Sequence, residues 1–286
     1  MTDQPDRAAS VVRISGVDKE FSAGGRVVTT ALSGIDLDIR RGEFVSLIGP
    51  SGCGKSTLLR LIGDLIAPTA GSVEVNGKPA HAARLGREYG MVFQAPVLFE
   101  WRSVEDNVKL PLELLGMARS ERETRARQML DLVELGEFRG HHPHQLSGGM
   151  QQRVAIARAL ALQPAILLMD EPFGALDEMT RERMNSEVLR IWQQTGTTVV
   201  FVTHSIPEAV FLSSRVVVMS ARPGRITSVI DVPLPHPRNE ETREDPVYFR
   251  VVTEVREALR AGGALDGEPL SGSASTERLA AEGGIG

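Results

Sequence analysis

The sequence predicts an α/β protein with a mainly parallel sheet core, an antiparallel β portion on its N-terminal side and a helical subdomain inserted into the sheet. Three observations carry this reading. Gly49–Thr57 reads GPSGCGKST and lies between an apolar run, Glu43–Ile48, and a helix-compatible run, Leu58–Ile62. Two further runs, Ala165–Met169 and Thr197–Val202, have the apolar and β-branched texture of strands buried on both faces. Between these landmarks, residues 104–136 leave period-two alternation for helical spacing.

Along the chain, residues 1–10 are polar and read as a disordered tail. Val11–Ile14 and Val27–Thr30 read as strands, and Ile35–Ile39 alternates as a half-buried strand does. Gly24-Gly25 and Arg41-Gly42 mark turns. Phe21 is a lone aromatic in a polar setting, and two readings stay open for it: an anchor for core or loop, or a flat face on which an adenine stacks.

At Gly49–Thr57 the pattern is glycine, four residues, then Gly-Lys-Ser/Thr. Gly49, Gly52 and Gly54 admit backbone conformations that a Cβ would resist. The amides of this loop, which also holds Pro50, Ser51, Cys53 and Thr57, can turn inward as an anion nest. Lys55 is placed to reach the β- and γ-phosphates of a nucleotide, and the Ser56 hydroxyl to sit on Mg²⁺. Strand, glycine loop and helix N-terminus together make a phosphate site. Cys53 is the single cysteine of the chain. No intrachain disulfide can form, which fits a reducing compartment. Its thiol is either a small filler or, at a helix N-terminus, a reactive group.

Pro68–Gly71 reads as a turn, Ser72–Val75 as a strand closed by the Asn76-Gly77 turn, and Tyr89–Phe93 as a short strand ending at Gln94. In the helical block, Leu110, Leu114 and Leu115 form one stripe around Pro111. Ala126, Met129, Leu130 and Val133 form a second, with Gly136 as its stop. His141, His142 and His144 crowd the next loop and, with no matching carboxylate or thiol nearby, read as solvated rather than metal-binding. Ser147 caps a helix that Gly148-Gly149 opens and Pro164 closes, giving a second anion-binding amide cluster apart from the first.

Ala165–Met169 delivers two acids in succession. Asp170 suits Mg²⁺ coordination and Glu171 a general base for water. Ala175-Leu-Asp177 leads into a helix whose Met184, Val188, Leu189 and Trp192 share a face and which Gly196 ends. His204 stands just beyond the run Thr197–Val202. Ligands of open α/β sheets bind beyond the carboxyl ends of strands, so Lys55, Asp170-Glu171 and His204 are expected at one edge. Arg215–Met219 and Arg225–Ile230 read as strands around a Pro223-Gly224 turn. Pro246–Leu259 reads as a helix facing inward through either Phe249, Val252 and Val255 or Val251, Val255 and Leu259. Residues 261–286 are rich in Gly, Ser, Ala and Glu and read as a disordered tail.

Composition narrows the function classes. Of 286 residues, 42% are hydrophobic and 24% charged, as in a globular protein, and a net charge of −5 does not point to nucleic acid as the main partner. No run approaches the roughly 18 apolar residues of a membrane span, and residues 1–10 lack the apolar segment of a secretion signal. A cytosolic location is therefore expected unless a partner holds the chain at a membrane.

Taken in order, these motifs resemble the ATP-binding subunit of an ABC transporter. Gly49–Thr57 matches the Walker A motif, Gln94 the Q-loop glutamine, Leu146–Arg153 the ABC signature and Ile166–Asp170 Walker B. Glu171 matches the catalytic glutamate, Leu176-Asp177 the D-loop, His204 the switch histidine, and Phe21 falls at the adenine-stacking aromatic. The resemblance spans about Val11 to Arg225 and implies a P-loop NTPase fold of the ABC ATPase type over 11–260, with the helical subdomain at about 95–160. It implies ATP and Mg²⁺ as cofactors, held by Phe21, Gly49–Thr57 and, from a second copy, Ser147, Gly148, Gly149 and Gln152. Ser56, Gln94 and Asp170 would serve the metal, and Glu171, His204 and Gln94 the hydrolysis.

Within that family, Phe93–Arg102, Met169–Asp177 and Thr203–Val210 look most like the nitrate/sulfonate/taurine importer group. The implied partners are a second copy enclosing two ATP molecules, integral membrane permease subunits and, indirectly, an extracytoplasmic solute-binding protein, with the chain peripheral on the cytoplasmic face of the membrane. Val97–Val104, with Phe99 and Trp101, is the candidate grip on the permease. Two departures stand out: Met150 where many signatures carry glutamine, and Gly174 where the D-loop often carries serine. Another importer, such as one for pyrimidine precursors, an exporter and a soluble non-transport ABC protein are the alternatives. The long coiled-coil insertion or second cassette that a DNA or ribosome role would need is not seen in this sequence.

Overall fold

The structure, a computed structural model, describes residues 10–23 and 26–263. Apart from Ser10 and residues 261–263, the two expected tails lie outside these residues, as does the Gly24-Gly25 turn. The chain opens with β1 (Ser10–Ala23) and β2 (Arg26–Arg40), followed by β3 (Phe44–Ile48), α1 (Lys55–Ile62), β4 (Ala70–Val75) and β5 (Lys78–Pro79). Then come α2 (Ala80–Leu85), β6 (Tyr89–Val92), α3 (Val104–Leu114), α4 (Arg119–Leu132) and α5 (Gly148–Leu160). The remainder comprises β7 (Ile166–Asp170), α6 (Glu178–Thr195), β8 (Thr198–Val202), α7 (Ile206–Leu212), β9 (Arg215–Met219), β10 (Ile226–Asp231) and α8 (Pro246–Ala261).

Strands β2-β1-β4-β5 form an antiparallel sheet, and β10-β9-β3-β8-β7-β6 form a second sheet that is parallel except at the β10–β9 edge. This is the mainly parallel core with an N-terminal antiparallel portion that the sequence predicts. The two N-terminal candidate strands Val27–Thr30 and Ile35–Ile39 are one strand, β2. Gly34 interrupts its register at φ +60, and its amide donates to Asp18; Gly16 of β1, at φ +54, donates to Asp36. Each irregularity thus satisfies the donor it frees from the ladder.

Alternate residues of the parallel strands feed two cores, as a period of two requires. Val45, Leu47, Val200, Val202 and Leu168 join α1 and the antiparallel sheet. Phe44, Ile48, Val199, Phe201 and Met169 join the helices on the other face. Both faces are covered, so each central strand lacks an exposed side.

The helical block departs from expectation in one face. Helix α3 turns Val104, Val108 and Leu112 inward against α4 and α5, while Leu114 is 79% exposed and Leu110 and Leu115 only half-buried. Pro111 lies inside α3. The second stripe, Ala126, Met129, Leu130 and Val133, is buried as expected. Helix α4 gives way at Val133 and Glu134, the latter at φ +57, so Gly136 is not its stop. Helix α8 uses Val251, Val255 and Leu259, and Phe249 is exposed. Helices α2 and α7 are additions to the sequence reading. Helix α7 follows His204 directly, and its C-terminal carbonyls at Val210, Phe211 and Ser213 accept from the buried Arg238 guanidinium. Burial lowers the Arg238 pKa to about 10.

Candidate functional site

The phosphate-binding loop leaves β3 and enters α1. Its curvature depends on glycine at two positions for different reasons. Gly54 stands at φ +103, closed to ordinary side chains. A Cβ at Gly49 would lie 2.8 Å from both Cys53 Sγ and the Met219 carbonyl oxygen. Cys53 itself points inward, is 1% exposed and packs in the core below the loop. Burial pushes its thiol pKa up, which favours the filler reading over the reactive one. Lys55 Nζ donates to the carbonyls of Gly49 and Pro50 at 2.8 and 3.0 Å, so the ammonium is held over the loop.

Three strand ends meet there. Ser56 Oγ, at the start of α1, donates to Asp170 Oδ1 at 2.6 Å, bringing the two expected metal oxygens together at the end of β7. The next residue, Glu171, has φ +46, an uncommon left-handed conformation for a glutamate and the kind of local strain found at functional positions. Its amide donates to the Val202 carbonyl, and His204 Nδ1 lies 3.5 Å from its Oε2. Thr203 Oγ1 donates to the buried Glu208 carboxylate and accepts from the Ser205 amide, which frames the turn that presents His204.

A cavity of 530 Å³ opens over the loop. One side is Phe21, Thr29 and Ala31 from the antiparallel sheet. The floor is Ser51, Gly52 and Gly54–Thr57, and Glu171 and Arg222 close it. Phe21 is 43% exposed to this space, with Lys19 Nζ 5.1 Å from its ring centroid, so the core-anchor reading does not hold. The cavity joins a flat aromatic, an amide-rich cradle, a lysine, two close oxygen donors and a carboxylate beside a histidine. That set can hold a nucleotide and a hard divalent cation and can polarise water.

Gln94 follows β6 and sits beside Gly174, whose amide donates to the Glu171 carbonyl. An added Cβ at Gly174 would lie 3.2 Å from Gln94 Nε2, so the glycine in place of a D-loop serine leaves room for this amide. Asp177 is the N-cap of α6, accepting from the Thr180 amide at 3.0 Å, and that backbone bond lowers its pKa. The histidine loop holds His142 and His144 stacked at 5.8 Å and His141 against Phe138.

The second amide cluster does not reach this cavity within one chain. Ser147 caps α5 by accepting from Met150 N at 3.3 Å, and Ser147 and Gly149 line a separate cavity with Arg153 and Thr180. Gly148 is the first residue of that helix. Gln152 is a correction. It is 1% exposed on the inner face of α5, and its Nε2 donates to the Phe93 carbonyl at 3.0 Å, so its amide is spent on the segment that carries Gln94 rather than on a nucleotide.

The segment after Gln94 is tied down from two helices. Arg158 of α5 donates to the carbonyls of Pro96 and Val97, and the buried Asn107 of α3 bonds Phe99 and Arg102. Trp101 is nonetheless 74% exposed and packs tilted against Phe99 with centroids 4.9 Å apart. Arg222 was not singled out from the sequence, which marked only the Pro223-Gly224 turn beside it. No helix among the described residues is long and apolar enough to cross a membrane.

The family model described as ABC transporter matches residues 32–174. A taurine import ATP-binding protein of Jannaschia sp. is 44% identical over 81% of this chain and 87% of its own. A nitrate import ATP-binding protein of Synechocystis sp. is 44% identical over 87% and 95%. An aliphatic sulfonates import ATP-binding protein of Bacillus cereus is 41% identical over 89% and 98%. Among solved structures, a dimeric post-hydrolysis ATP-binding cassette bound to ADP and Pi is similar with a TM-score of 0.67 and 38% identity, over 77% of this chain and 98% of that one.

Proposed function

The chain belongs to the ABC transporter family and is an ATPase cassette of it, and on that premise we propose that it powers an importer of a small oxyanion-bearing solute of the nitrate, sulfonate or taurine kind through a separate membrane permease. The observation that carries the mechanism is the separation of its two amide clusters. The loop at Gly49–Thr57 and the helix start at Ser147–Gly149 line different cavities of one chain. Two copies facing head to tail would set each ATP between the loop of one and Ser147–Gly149 of the partner subunit. The dimeric state of the similar cassette supports this arrangement.

Phe21 stacks on the adenine, and the amides of Gly49–Thr57 with Lys55 hold the phosphates. Ser56 and Asp170 fit Mg²⁺ as hard oxygen ligands with Gln94 close by; the ion, when bound, neutralises charge on the β- and γ-oxygens. Glu171 accepts a proton from the attacking water, and His204, 3.5 Å away, holds the γ-phosphate side of that geometry. The exposed Trp101 and the Val97–Val104 segment meet the permease, and Arg158 ties the start of that segment, at Val97, to the helix that Ser147 opens. On this reading the chain sits peripherally at the cytoplasmic face of the membrane, with a solute-binding protein acting indirectly.

Co-purification of the intact complex from membranes tests the reading. ATP hydrolysis in proteoliposomes should rise when a binding protein loaded with taurine, an alkanesulfonate or nitrate is added. A chain recovered without any integral membrane partner, or stimulated by none of these solutes, would remove the importer assignment.

A further inference from the structure

We propose that Arg222 is a second nucleotide-holding cation, working from a hairpin outside every motif that describes this site; the proposal rests on the nucleotide reading of the loop cavity. The hairpin joins β9 to β10 and is fixed at both ends. Ser220 N donates to the Arg225 carbonyl at 2.9 Å, and Ser220 Oγ accepts from Arg225 N. It is also stitched to β2: Gly224 N donates to the Ala31 carbonyl at 2.9 Å, and Ser33 N to the Gly224 carbonyl at 3.0 Å. A Cβ at Gly224 would sit 1.9 Å from the Cys53 carbonyl oxygen, so the hairpin lies directly against the phosphate loop.

From that base Arg222 reaches into the 530 Å³ cavity that Phe21, Lys55 and Glu171 also line. Its Nε donates to the Gly52 carbonyl at 2.9 Å. A Cβ at Gly52 would fall 2.7 Å from its terminal nitrogen and push the guanidinium aside, and φ +73 itself favours glycine there. Among the described residues no carboxylate pairs with Arg222, and its other donors have no protein acceptor. A guanidinium anchored through Nε, with its outer face free beside a phosphate cradle, is arranged to donate to phosphate oxygens. Lys55 is the cavity's other cation, and its ammonium donates to the carbonyls of Gly49 and Pro50. Arg222 therefore presents the more available positive charge to an arriving triphosphate.

The test is calorimetric titration of the full chain with ATP at low and high salt, comparing the parent with Arg222→Gln, Arg222→Lys and Lys55→Ala. Arg222→Gln should raise Kd for ATP about tenfold at low salt, the scale of one charge-assisted contact, and should flatten the salt dependence. Arg222→Lys, which keeps the charge but loses the fork, should recover only part of the affinity and most of the salt dependence. Because the side chain is exposed, thermal unfolding of both variants should match the parent. A parent that binds ATP, a Lys55→Ala that does not, and an Arg222→Gln within about twofold of the parent with unchanged salt response would overturn the role of Arg222 alone. A parent that binds no ATP would overturn the nucleotide reading and this proposal together.

Discussion

Ser56 and Asp170 are 114 positions apart in the chain, yet the hydroxyl of one donates to the carboxylate of the other at 2.6 Å. The contact joins the first turn of the helix after the phosphate loop to the end of β7, and it holds the two oxygens within hydrogen-bond distance of each other. Asp170→Asn preserves size and an acceptor for Ser56 while removing the charge that a divalent cation needs. Affinity for ATP in the presence of Mg²⁺ should fall about 10- to 100-fold, and affinity in its absence should change little. Equal loss with and without the metal would detach Asp170 from cation binding.

Glu171 is the natural second target, because its strained backbone and its 3.5 Å approach to His204 hold the carboxylate at the cavity edge. Glu171→Gln should keep ATP binding, lower turnover by about 10²- to 10⁴-fold, and accumulate a two-chain species with trapped ATP. Light scattering after gel filtration with ATP reads the assembly, and phosphate release reads the chemistry. Rapid turnover in the variant would move the general base elsewhere.

Phe21 is half-exposed and lines the same cavity. Phe21→Ala should cost about 1–3 kcal/mol of binding for ATP and ADP alike, the value of one base–aromatic stack. Inorganic tripolyphosphate, which has no base, should bind both proteins equally. Parallel losses for tripolyphosphate and ATP would mean that the ring supports the loop instead of the adenine.

Much of this site was legible in the sequence because its residues sit at the ends of short apolar runs. A buried parallel strand delivers its last polar residue to a known edge, which is why Lys55, Asp170, Glu171 and His204 converge. Arg222 escaped because it reaches Gly52 from a hairpin 170 residues later, and no spacing encodes that approach. Gln152 misled because the signature pattern says nothing of which side of α5 faces the core. Helix α3 carries two apolar stripes, and its packing against α4 and α5 selects Val104, Val108 and Leu112 over Leu110, Leu114 and Leu115. Helix α7 is apolar over Ala209–Leu212 and buried on all sides there, so it shows no amphipathic period to read.

Glu208 supplies a pH-dependent prediction from the same turn as His204. It is 5% exposed, its Oε2 accepts from Thr203, and its Oε1 is buried without a partner. Burial raises its pKa above the ordinary 4.5, against the opposing pull of the Thr203 hydrogen bond and of Arg181, His204 and Arg243. An unfolded chain releases this proton as pH climbs past 4.5, while the folded chain still keeps it. The unfolded state then binds fewer protons, so this group's contribution to stability declines with rising pH until the folded pKa is passed. Glu208→Gln retains an acceptor for Thr203 but has no proton to lose. Urea unfolding across mildly acidic to neutral pH should show the variant gaining on the parent as pH rises, by about 1.4 kcal/mol for each unit of the shift. Parallel stability curves for the two proteins would show that Glu208 titrates normally in the fold, and the turn that holds His204 would then be framed by an ionised carboxylate.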